Sequence, residues 1–120
     1  MEGGIKYFVD TVEMSVVNIR KKELQKRGYR DLMHWLEDTN NVYIGRNMTF
    51  YVHGAKKSKF ANPFSAKKYG RQGCIDKYRE WIQEQPELMN SLEELRGKTL
   101  GCWCKPEACH GDVLLDLLNK

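Results

Sequence analysis

The spacing of apolar residues changes several times along the chain, and each change predicts an element. Val12–Ile19 alternates in part and carries Val16, Val17 and Ile19, the pattern of a first core strand. Met1–Asp10 before it reads as a flexible end or a short edge strand. Arg20–Gly28 reads as a basic connection, with Gly28 as its punctuation. From Tyr29 to Glu37 the period becomes helical, and Tyr29, Leu32, Met33 and Leu36 make one apolar face. Asp38–Asn41 is a turn cluster that stops it. Val42–Ile44 predicts a short strand ending at Gly45-Arg46, and strand, helix, strand over this length fits one right-handed crossover. Met48–Val52 predicts a further strand at an edge. His53–Tyr69 has little periodicity and is long for a connection, a mark of functional or mobile segments in small domains.

The second half is more regular. Arg71–Gln85 is predicted as a helix whose stripe holds Cys74 or Ile75, Tyr78, Trp81 and Ile82, so Cys74 reads as core filler. Pro86 suits the first turn of a helix over Pro86–Leu95, with Gly97 placed to end it. Thr99–Trp103 is the next strand. Val113–Leu118 is a helix apolar nearly all round and should be deeply packed. Together these elements predict a single compact, Rossmann-like α/β domain over residues 1–120, with a small, mostly parallel sheet flanked by helices. Val12–Ile19, Val42–Ile44 and Thr99–Cys102 should share that sheet.

Composition narrows the class. The chain has 120 residues, enough for one core and not for two. No apolar run approaches the ~20 residues of a membrane span, and the N-terminus lacks a signal-peptide pattern. An intracellular protein without a membrane partner is expected. The net charge of +4 is mild, but it is unevenly spread. Arg20, Lys21, Lys22, Lys26, Arg27 and Arg30 read as a solvated basic loop. Lys56, Lys57, Lys59, Lys67, Lys68 and Arg71 have no acid among them and are interleaved with Phe60, Phe64 and Tyr69, which suits a polyanion.

The chemistry concentrates in Leu100–Asp112, LGCWCKPEACHGD, a turn from a strand into a helix. Three of the four cysteines lie there, which in a reducing compartment argues for thiols or a metal rather than a disulfide frame. Zinc is the minority reading, with Cys102, Cys104, Cys109 and His110 as ligands. Adjacent Cys109 and His110 could face one ion only in a distorted turn. No stoichiometric metal or other cofactor is expected. The leading reading is a ligand pocket. A helix start at Cys109–Gly111 offers free N–H groups to an anion. Gly111 lets the backbone approach. Cys109 is the candidate nucleophile and His110 the candidate acid–base. Asp112 either orients His110 or stabilises the helix start.

VYIGR at Val42–Arg46, ANPF at Ala61–Phe64, the IDKYREWI-type helix and GCWCKPEACHGDVLLDLL at Gly101–Leu118 resemble domain of unknown function 4326. That family is found in phages, large DNA viruses and cells, and the resemblance covers about residues 12–119. It implies motif positions at Gly45, Arg46, Asn62, Pro63, Cys102, Cys104, Cys109, His110, Gly111 and Asp112, but no reaction. The expected function is a pocket for a nucleotide or related phosphorylated metabolite, with hydrolase or transferase chemistry. Arg46 would clamp a phosphate, Asn62 would read a polar edge, and Gly45, Cys102, Cys104 and Gly111 would complete the wall. The rivals are a nucleic-acid-binding module using Lys56–Arg71, with a structural cysteine cluster, and a partner-binding domain without catalysis. The oligomeric state is open.

Overall fold

The computed structural model describes residues 6–9 and 12–119; residues 1–5 and 10 of the expected end segment lie outside the described residues. Strand β1 (Lys6–Val9) pairs antiparallel with β2 (Val12–Asn18) at the sheet edge. Then come helices α1 (Lys21–Lys26) and α2 (Leu32–Leu36), strand β3 (Asn41–Tyr43), and helices α3 (Ala66–Tyr69), α4 (Arg71–Gln83) and α5 (Pro86–Ser91). A 3-10 turn over Leu92–Leu95, strand β4 (Thr99–Cys102) and helix α6 (His110–Leu118) complete the order.

The sheet runs β1-β2-β4-β3. β2, β4 and β3 are parallel, with Val16 beside Leu100 and Val42 also beside Leu100. The three predicted strands do share one sheet, but β4 lies between β2 and β3. The crossover from β2 therefore skips one strand, and β4 returns into the gap. Alternation along the strands sorts the core into two faces. Met14, Val16, Ile44, Leu100 and Cys102 join one cluster with Tyr78, Ile82, Val113 and Leu114. Val17, Ile19 and Tyr43 join another with Leu24, Leu32 and Trp35. Helices α4 and α6 thus cover one face, and α1 and α2 the other. The two crossovers run in opposite directions on opposite faces, so they share one hand.

Several boundaries differ from the sequence expectation. Arg20–Gly28 is not a plain connection, because it contains α1. Leu24 is that helix's one buried residue, so no periodicity announces it. The helix expected from Tyr29 starts at Leu32, because extended Asp31 caps it by accepting from the His34 N–H at 2.9 Å. Its core residues are Leu32 and Trp35, while Met33 is 42% exposed. Met48–Val52 is not a strand. Tyr51 and Val52 both donate to the Met48 carbonyl, and Asn47 Oδ1 accepts from Thr49, closing a turn. The long segment before α4 includes α3, capped by Ser65. The helix from Pro86 tightens into 3-10 geometry, with Ser91 Oγ bonding back to the Glu87 carbonyl. Helix α6 is packed as expected, with Val113, Leu114 and Leu115 at 1% exposure or less. Among the described residues no helix is long and apolar enough to cross a membrane.

Candidate functional site

The carboxyl ends of the parallel strands share one edge, and the Cys102–Asp112 turn lies along it. Cys109 is the cap of α6. Its Sγ accepts from the Gly111 N–H at 3.2 Å, and Asp112 Oδ2 accepts from the Cys109 N–H at 3.2 Å, a reciprocal capping box. Lys105 Nζ also reaches Asp112, at 2.7 Å. Gly111 is required by space: a Cβ there would lie 2.9 Å from both Val16 methyls and 3.0 Å from Ile44 Cδ1. Absence of a side chain lets α6 start directly on the sheet. His110 Nε2 lies 2.8 Å from the Ile44 carbonyl. A carbonyl only accepts, so this nitrogen carries the proton and donates. The ring is 8% exposed and stands edge-on to Tyr78. Burial holds its pKa below the ordinary histidine value, against the raising effects of the Ile44 bond, Cys104 and Asp112.

Three sulfurs meet beneath this cap. Cys109 Sγ lies 3.0 Å from Cys102 Sγ, and both residues are 1% exposed. Cys104 is half-buried and accepts from Arg71 Nη1 at 3.1 Å. The hydrogen-bonding thiols of Cys102 and Cys109, with the Arg71 guanidinium, hold Cys104 well below the usual thiol range. The same contacts push its neighbours up: Cys102 chiefly by its bond to Cys104, Cys109 chiefly by its bond to Cys102. The cluster thus favours the charged form on Cys104, with two thiols and a guanidinium arranged to donate to it. Among the described residues no group of three or more Cys, His, Asp or Glu side chains is arranged to hold a metal ion.

A cleft of about 520 Å³ opens beside Cys104. One wall comes from the end of β2 and the start of α1, with Asn18, Arg20, Lys22 and Glu23; the other comes from the chain after β4, with Trp103 through Glu107. Asn18 ties the walls together, since its Nδ2 donates to the Lys105 carbonyl at 2.6 Å and its Oδ1 accepts from the Arg20 N–H. Trp103 is fixed by its Nε1–H donating to the Tyr43 hydroxyl at 2.8 Å. Burial raises the Tyr43 pKa, opposed by that indole bond. The chain leaving β2 turns to the α1 face, while the chain leaving β4 turns to the α6 face. The cleft therefore lies where neighbouring parallel strands send their connections to opposite sides of the sheet.

Residues 28–120 match the family model described as domain of unknown function, DUF4326. The chain belongs to this family. An uncharacterized protein of Acanthamoeba polyphaga mimivirus is 36% identical over 86 residues, 64% of this chain and 65% of the viral protein. An uncharacterized 12.4 kDa protein from the nrdA-td intergenic region of Enterobacteria phage T4 is 55% identical over 29 residues, 24% of this chain and 27% of the phage protein. The chain thus spans less than two thirds of either relative's length. No solved structure matches it.

In this DUF4326 member the motif residues take separate duties. Of the expected site, Cys104 lines the cleft, while Cys102, Cys109, His110, Gly111 and Asp112 build the support behind it. Gly45 is buried two residues before exposed Asn47, and a Cβ on it would strike the Tyr43 ring. Arg46 is exposed, with Nε on Met48 Sδ at 3.5 Å. Asn62 closes a local turn by accepting from the Phe64 N–H and donates to the Cys74 carbonyl. Among the expected polyanion residues, Lys59 pairs with Glu94 and Arg71 serves Cys104. Sequence reasoning passed over Asn18 and read Arg20 and Lys22 as part of a solvated basic loop. The available signal was their place at the carboxyl end of a strand and in the turn of chain that follows it.

Proposed function

We infer that the cleft between the ends of β2 and β4 binds a nucleotide or related phosphorylated metabolite, and that Cys104 is the nucleophile of a hydrolase or transferase reaction on it. The observation that carries this reading is position. The cleft lies outside strand carboxyl ends at a switch of connection direction, where Rossmann-like sheets hold ligands. Arg20, Lys22 and Lys105 outnumber Glu23 and Glu107 on its walls, which favours an anion. Trp103 offers an aromatic face for a base. Cys104 stands on the same wall, and its lowered pKa favours the thiolate, the nucleophilic form. His110 and Asp112 act in this reading as positioning residues for the turn. The reading needs no metal or cofactor and places the protein inside the cell.

Titration calorimetry with nucleoside monophosphates, nucleoside diphosphates and inorganic phosphate tests it. The expected result is nucleotide binding that weakens about tenfold or more in an Arg20→Gln, Lys22→Gln double variant, since charged hydrogen bonds contribute about 1.5–3 kcal/mol. The Cys104→Ser variant should keep binding and lose turnover. No binding by the wild-type protein, or full affinity in the double variant, rejects the reading.

A further inference from the structure

Phe50 and Tyr51 are 89% and 77% exposed, at the tip of the turn where a strand was expected. Neither contributes to the core. Their rings meet edge to face at 5.0 Å. The turn that carries them is well fixed. Met48 N–H donates to the Ala55 carbonyl and Val52 N–H to the Met48 carbonyl, each at 2.8 Å, and Ser58 N–H to the Gly45 carbonyl at 2.9 Å. Ala55 is fully buried at its root, and Met48 and Val52 pack on the α2-side core. The fold therefore holds two large aromatic faces in water on an ordered support.

The surroundings say what they would meet. No aspartate or glutamate occurs between Thr39 and Ile75. Arg46, Lys56 and Lys57 are exposed, and the Gly45–Ser58 bond brings their two stretches side by side at the base of the turn. Among the described residues no ion pair joins any of the three to a carboxylate. Rigid aromatic faces beside uncompensated cations fit a ligand that alternates π-faces with negative charges.

We propose that the Arg46–Lys57 turn is a docking surface for a single-stranded polynucleotide, with bases stacking on Phe50 and Tyr51 and phosphates meeting Arg46, Lys56 and Lys57. A duplex buries its base faces and offers only its phosphates. Stacking tolerates any base, so the surface selects strandedness rather than sequence. This surface is separate from the cleft and stands whether or not the cleft binds a nucleotide.

Fluorescence anisotropy with labelled oligothymidine and oligouridine of about 12 nucleotides, within the usual range of single-strand sites, and with a duplex of equal length, tests it. At low salt the single strands should bind at least about fivefold tighter than the duplex. A preference between the two identifies DNA or RNA as the natural strand. The Phe50→Ala, Tyr51→Ala variant should lose about tenfold or more in affinity with an unchanged melting temperature, because both rings are outside the core. Wild-type log affinity should fall with log salt at a slope of about −2, and Lys56→Gln with Lys57→Gln should remove about 1.4 of it, at ~0.7 per phosphate. Undetectable binding at low salt, equal affinity for the duplex, or full affinity in the aromatic variant overturns the proposal. So does sedimentation showing self-association that the aromatic substitutions abolish while no oligonucleotide binds.

Discussion

Cys104 and Cys109 lie five positions apart, and their thiol pKa values are pushed in opposite directions, Cys104 down and Cys109 up. The local argument for Cys109 is sound as far as it reaches: the residue does cap a helix, and a helix start lowers a thiol's pKa. Its hydrogen bonds to Cys102 and Cys104, and then its burial, outweigh that effect. The charge settles on Cys104, helped by Arg71 from another helix, 33 positions earlier in the chain. No spacing rule shows such a partner, so the cluster was legible and its reactive member was not. Iodoacetamide should therefore label Cys104 before Cys102, Cys109 or Cys74, as read by peptide mass spectrometry. Arg71→Gln should move the pH profile of that labelling upward, because removing an adjacent opposite charge raises a pKa by about 1–3 units. First labelling at Cys109 would reverse the assignment.

At the scale of elements, periodic segments were readable and sparse ones were not. Helix α4 and helix α6 carry enough apolar residues to fix their period, and both were found, although α4 ends two residues before Gln85 and α6 starts three residues before Val113. Helix α1 buries only Leu24, and the 48–52 turn is held by backbone and Asn47 bonds that leave no apolar pattern. Glycines show the other side of element packing. A Cβ on Gly101 would lie 2.6 Å from Ile19 Cγ2 and Trp35 Cη2, and one on Gly111 would meet Val16 and Ile44. Gly101→Ala and Gly111→Ala should each destabilise by about 1–3 kcal/mol, the usual cost of overpacking. Gly73 sits inside α4 with only the Tyr69 Cβ near, at 3.4 Å. There the same substitution should be neutral or stabilising by up to about 1 kcal/mol, since alanine favours helix. Urea midpoints of the three variants give the comparison, and a uniform sign across them would refute the packing account.

At the scale of the molecule, the cleft depends on strand order, which no local pattern encodes. Alternation announced β2, β3 and β4, but the insertion of β4 between the others is a property of the whole sheet. His110 is where that assembly is fastened, because its ring joins the start of α6 to the chain just beyond β3. The bond needs a neutral ring with its proton on Nε2. In the unfolded chain a histidine titrates near pKa about 6.5, and burial in the fold holds His110 below that. Between those two values the unfolded state binds more protons, so stability rises with pH there. It should be level above pH about 7 and fall as pH drops below about 6.5, by at most about 1.4 kcal/mol per pH unit from this group. In His110→Gln the side-chain amide can still donate to Ile44 but does not titrate. The variant should be less stable at pH 7.5 and should lose the wild-type slope between pH 7 and pH 5. Denaturant midpoints at several pH values measure this directly. Parallel curves for the two proteins would show that His110 is not the group through which acid loosens the strand ends.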